Sequence, residues 1–224
     1  MVMCVVMGEP PRIPASIVYI TSVVNGAAVS VQTFASIAIG AVNSAAATAR
    51  GVSSNRQIFV ATAAGSIVTG VTVSGIAASL VVSSTYTKLY RASVPSGTTV
   101  SVVVTQNTAS AQSISVWTAY DILSVTPIDT STAGSTINGS VTHSIPLNTS
   151  ASGIVVGYAI IAASDAIPTL TWSGLPEDGF LYLTTDIYSA ASVETATASL
   201  PRAVSAAMTG GIGSVTAAIA ASFS

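Results

Sequence analysis

The chain has 224 residues and a net charge of −2; half of it is apolar, and only 6% is charged. Disordered chains are charged and poor in apolar residues, so this composition excludes disorder. Ordinary domains carry about 25% charge, so the surface here is one that other protein is expected to cover. Lys88 is the sole lysine and the five arginines are scattered, which leaves no basic track for nucleic acid.

Residues 1–15 read as an extended N-terminal arm. Pro10, Pro11 and Pro14 favour polyproline geometry. The apolar run from Met1 through Val5 to Met7 is too short for a signal-peptide core, and no basic segment precedes it. The arm reads either as a frayed terminus, as chain ends commonly are, or as a tether that orders against a neighbouring subunit, since it is too apolar to rest comfortably in water. No run approaches the roughly 18 apolar residues of a membrane helix. Aromatics make up 6% without a paired girdle, which argues against a membrane barrel. Cys4 is alone, so no intrachain disulfide can form.

The body, residues 16–224, reads as strands throughout. Ser16 to Val24 is a first strand. Asn25-Gly26 predicts a hairpin turn, because both turn positions need positive φ. Ala28 to Ile39 alternates, and residues 40–55 read as a loop. Arg56 to Ala63 is an apolar strand, followed by strands at Val68 to Val73, Ser79 to Val82 and Thr85 to Arg91. Pro95-Ser96-Gly97 is a turn. Thr99 to Thr105 and Gln112 to Ile122 are β-branched or aromatic strands.

Leu123 to Thr136 reads as a joining loop and Asn138-Gly139 as a second turn. Val141 to Ile145 is a strand and Leu147 to Ser152 a turn. The order then repeats: an apolar strand at Ile154 to Ala162, an alternating one at Thr169 to Trp172, and strands at Phe180 to Thr184 and Ile187 to Ala190. Leu200-Pro201 echoes Val94-Pro95. Ala203 to Met208 and Ser214 to Ala221 close the chain. Short strands with turn signals between them predict an all-β, jelly-roll-like β-sandwich of about a dozen strands. Two similar halves, about 28–122 and 138–224, form one compact body in this reading. Two tandem sandwiches are the other arrangement.

No residue pattern points to catalysis, and the chain is not expected to be an enzyme. His143 is the sole histidine, and a triad needs a nucleophile and an orienting acid around it; a strand histidine with a local hydrogen bond fits better. Cys4 and His143 are too few for zinc. Asp165, Glu177, Asp178 and Asp186 lack EF-hand spacing and read as solvated loop acids. Nothing selects Glu177, Asp178 and Asp121 as a glycosidase pair. Thr209 to Ser214 is Gly-rich but lacks the lysine of a phosphate loop. Lys88 reads as exposed rather than as an isopeptide donor. No cofactor is expected. Trp117 and Tyr158 sit in apolar strands and read as core. Trp172, beside the Ser173-Gly174 turn, and Tyr182 are the aromatics expected to face a ligand such as a host glycan.

The order of motifs resembles a class of bacteriophage virion proteins with a jelly-roll or sandwich body. The segments that carry the resemblance are Thr33 to Gly40, Arg56 to Ala61, Val71 to Ala78, Tyr90 to Thr98, Val100 to Thr105 and Val116 to Asp121. Gly153 to Ser222 is similar to the closing portion of the same class. The resemblance spans residues 28–224. It implies a structural protein on the surface of a phage particle, as a capsid decoration, head fibre or tail component. It also implies other virion proteins as partners and a homo-oligomer, a trimer first. A carbohydrate-binding receptor module is the alternative.

Overall fold

The computed structural model describes residues 16–39, 56–163, 168–183 and 186–224. The expected arm, with Met1, Val5, Pro10, Pro11 and Pro14, and the loop 40–55 lie outside the described residues. Among those described there is no helix, and fifteen strands make an all-β sandwich. The first half holds β1 (Ser16–Ala38), β2 (Gln57–Ala64), β3 (Val68–Val73), β4 (Ile76–Ala77), β5 (Ser79–Ser83), β6 (Thr87–Ser93) and β7 (Thr99–Tyr120). The second holds β8 (Asp129–Ser144), β9 (Leu147–Thr149), β10 (Gly153–Ala162), β11 (Thr169–Ser173), β12 (Glu177–Leu183), β13 (Asp186–Thr195), β14 (Ser199–Arg202) and β15 (Ser205–Phe223).

The hydrogen-bonded ladders of the described strands stay within each half. In the first, β7 pairs along one side with β1 and along the other with β3 and then β2; β6 and β5 follow β2. In the second, β15 pairs with β8 on one side and with β11 and then β10 on the other; β13 and β12 follow β10. The pairing scheme is the same. The short β9–β14 pair is an addition in the second half.

Four of these strands are longer than the sequence suggests, and for one reason. Asn25-Gly26 lies inside β1 rather than in a hairpin, where the register against β7 slips between Asn25 and Val29. Asn138-Gly139 lies inside β8 at the matching slip against β15. Gly139 has φ 109°, Gly213 has φ 74°, and the Gly213 N–H donates to Asn138 Oδ1 at 2.8 Å. The left-handed conformations that suit a hairpin here turn a corner instead. Each long strand passes through the corner from one sheet layer to the next. The segment 123–136 is also corrected: β8 begins at Asp129. Its run of Ser, Thr, Ala and Gly has no apolar period to announce an edge strand.

The corners fold each half around its own core. Val100, Val102 and Val104 of β7, with Phe34, Ile37, Val71 and Val73, face Ile58, Val60, Ile114 and Val116. In the second half Leu170, Trp172 and Met208 face Val155, Ala159, Ile161, Ala218 and Ala220. A third core lies between the halves. Phe59, Ala61, Leu89, Trp117 and Ala119 of one meet Ile154, Val156, Tyr158, Ile219 and Phe223 of the other. The result is four stacked sheet layers with three apolar seams.

Burial along β7 records this directly. Its first half alternates buried with half-buried residues, and its last nine residues are buried on both faces. β2 and β10 lie in the two inner layers, and all but the last residue of each is buried. That is why their sequences are unbroken apolar runs rather than alternations.

Across the central seam β1 lies against β12 and β13, while β5 lies against β8 and β15. β1 corresponds to β8 and β5 to β12, so exchanging the halves maps the β1–β12 contact onto the β5–β8 contact. Phe59 and Phe223 meet there with ring centroids 4.9 Å apart, and Tyr158 Oη shares a 2.7 Å hydrogen bond with Ser113 Oγ.

Candidate functional site

The acids that could suggest chemistry are occupied in holding the layers together. Trp117 is fully buried in the central seam, and its Nε1–H donates to Asp178 Oδ2 at 2.9 Å. Burial pushes the Asp178 carboxyl above the usual carboxylate range, against the pull of hydrogen bonds from Ser192 and Trp117, and Glu177 pushes it further up. β12 slips register between Glu177 and Gly179. Asp178 thereby turns to the central seam, while Glu177 accepts a 2.9 Å hydrogen bond from Ser189 Oγ. Ser189 Oγ in turn accepts one from Trp172 Nε1 at 2.9 Å. The two neighbouring carboxylates thus serve two indoles in different seams. Asp186 accepts from Tyr188 Oη at 3.2 Å, and Asp165 lies outside the described residues. Among the described residues, no group of three or more His, Cys, Asp or Glu could hold a metal.

The aromatics expected to face a ligand separate. Trp172 is 9% exposed and packs inside the second half, so it is a core residue. The Ser173-Gly174 turn beside it does not open it to water. Gly174 has φ 83°, a Cβ there would stand 2.0 Å from the Ala203 carbonyl oxygen, and Arg202 Nε and Nη2 donate to the Gly174 carbonyl. Tyr182 is 45% exposed on the edge strand β12, with Phe180 also exposed two residues before it. Trp117 and Tyr158 are core.

Lys88 is half-buried rather than exposed. Its Nζ donates to the Val68 carbonyl at 2.5 Å, tying β6 to β3 across the first core. Arg56, which opens β2, is buried and carries more. Its Nε donates to Val94 O at 2.6 Å, Nη2 to Ser96 O at 2.5 Å and Nη1 to Gly97 O at 3.0 Å. The Arg-led strand and the Val-Pro-Ser-Gly turn, separate signals in the sequence, are one clamp.

His143 is buried in β8, with Nε2 2.8 Å from Thr216 Oγ1 on β15. Burial lowers its pKa. The fold therefore holds the neutral ring, and the unfolded chain takes up a proton first as pH falls. Stability from this residue is present above about pH 6.5 and is lost on acidification toward the folded value. Thermal melts between pH 7.5 and 5 are expected to show Tm falling in wild type and falling less in His143→Gln. Equal slopes would remove His143 from the explanation.

A groove of about 490 Å³ runs between the Ser84–Tyr86 turn of the first half and residues 132–136 of β8 in the second. A smaller pocket of about 160 Å³, lined by Ala63, Ala64, Ile160, Tyr188 and Val215 among others, shares Tyr86 with it. Among the described residues no helix is long and apolar enough to cross a membrane. No family model matches the chain, and neither a curated protein nor a solved structure does.

Proposed function

We propose that the protein is a structural component of a phage particle, built from two jelly rolls joined face to face and assembling through one end of the molecule. The pairing order within each half supports a jelly roll: in the first, the start of β1 lies beside the end of β7, β2 lies between the end of β7 and β6, and the end of β1, the start of β7 and β3 form the facing layer. Jelly rolls recur in viral capsid proteins and lectins, and the motif order resembles phage virion proteins.

The observation that carries the assembly reading is the joining segment, residues 121–128. Its backbone is pinned to the C-terminal strand: Leu123 N–H and Ser124 N–H donate to Ser224 O, and Ile128 N–H donates to Ser222 O. So held, it presents Leu123 (64% exposed), Val125 and Ile128 to solvent. Ser16, the first described residue, pairs with Tyr120 at the same end. The long outer strands β1 and β8 add edges with few charges: between Thr130 and Ser144 there is no Lys, Arg, Asp, Glu or Pro. Natural edge strands usually carry such residues as protection against pairing with other chains.

In this reading the patch, the leading segment and these edges meet other virion proteins and further copies of the chain, with a trimer the favoured assembly. Sedimentation of the full chain tests it. Wild type is expected to run as an oligomer, and the triple change Leu123→Asp, Val125→Asp, Ile128→Asp as a folded monomer. A wild type that stays monomeric at high concentration overturns the proposal.

A further inference from the structure

The geometry points to the groove between the Ser84–Tyr86 turn and β8 as a binding site for a neutral saccharide. This inference does not depend on the assembly role. The groove lies where the two halves meet, a preferred place for ligand sites, and its volume falls within the roughly 300–1,000 Å³ of small-ligand pockets.

No charged side chain lines it. A phosphate, carboxylate or ammonium group would shed water there without a counter-charge, which is costly. What the lining offers is hydroxyl groups. Gly134 pairs with Ala217, whose side chain belongs to the central seam, so Thr132, Gly134 and Thr136 share the β8 face that turns toward the first half. Some hydroxyls of the lining are already bonded, Ser84 with Thr87 and Ser135 with Thr216. The side chains of Thr85, Tyr86, Thr132 and Thr136 make no hydrogen bond within the described residues. Their four hydroxyls remain for a ligand.

Tyr86, 40% exposed, adds an aromatic surface beside those hydroxyls, with the smaller, mostly apolar pocket next to it, whose one carboxylate, Asp186, accepts a hydrogen bond from Tyr188. A sugar ring has the matching character, apolar C–H faces edged with hydroxyls. An added peptide strand would instead use the outer backbone edge of β8 and leave these hydroxyls unused.

The full chain should be titrated by NMR with neutral oligosaccharides of hexose and N-acetylhexosamine units, with sialylated oligosaccharides as the charged comparison. At least one neutral ligand is expected to bind saturably, shifting amide signals at Thr85, Tyr86 and 132–136, and more tightly than its sialylated form. Tyr86→Ala should weaken it at least tenfold, and so should the double change Thr132→Val, Thr136→Val, which keeps shape and removes hydroxyls. Tyr182→Ala should leave affinity unchanged, and all variants should melt cooperatively. Three results overturn the site: no saturable binding by any neutral saccharide, binding that survives Tyr86→Ala, or binding lost with Tyr182→Ala.

Discussion

Trp117→Ala is expected to cost about 4 kcal/mol in chemical denaturation, near the middle of the range for large aromatic truncations. For a chain of this size that lowers Tm by roughly 10 °C. Trp117 is the largest fully buried side chain and stands in the central seam. Removing it opens a cavity between the halves and leaves the half-buried Asp178 without its indole donor. Trp117→Phe separates the two effects. It keeps most of the packing, loses the hydrogen bond, and should cost no more than about half as much. It should also raise the Asp178 pKa further, since one of the groups holding it down is gone. A folded carboxyl pKa above the unfolded one means stability is greatest below the carboxylate range and declines as pH rises through the folded value. Trp117→Phe should therefore lose more at pH 7 than at pH 4. If Trp117→Ala cost under 1 kcal/mol, the central seam would not be a packed core.

Arg56→Met is expected to lose about 2 to 4 kcal/mol. Three hydrogen bonds from a cation disappear at once, and the Val94 carbonyl is left enclosed. Arg56→Lys should recover little, because one ammonium cannot reproduce a planar fork spread over the carbonyls of Val94, Ser96 and Gly97. Amide exchange gives a local readout. Val94 N–H donates to Arg56 O, and its protection should fall in both variants before that of Val116 in the middle of β7. A lysine variant as stable as wild type would mean that charge alone, not the fork, holds the turn.

The fold was legible where burial leaves its mark on composition. β3 was placed to the residue because its buried Val68, Val71 and Val73 are interleaved with Thr and Gly, and β2 and β10 to within one because strands covered on both faces are apolar without interruption. Where geometry depended on distant partners, local signals misled. Asn25-Gly26 and Asn138-Gly139 carry the chemistry of a hairpin, but the strands on either side of each share one long partner, and only that partner decides between a reversal and a corner. The first part of β8, before Val141, was missed because an edge strand of small hydroxyl residues can be wet on one face and shallowly packed on the other. The Arg56 clamp gave no signal because its acceptors are backbone carbonyls. Trp172 looked open beside a glycine turn, but its hydrogen-bonding partner Ser189 is on another strand. Tyr86 drew no notice because its groove is completed by residues some fifty positions later in the chain.

The central seam sets Ala61, Ala63, Ala119, Ala190, Ala217 and Ala221 beside large side chains such as Trp117, Tyr158, Phe59 and Phe223. Two separate halves meeting on that surface would have to repay lost translational freedom, so their association would weaken on dilution. Here the short tether through residues 121–128 keeps the local concentration of each half around the other high at any protein concentration. Cutting that tether with an inserted protease site would expose how much of the attraction is intrinsic and how much is owed to the covalent leash.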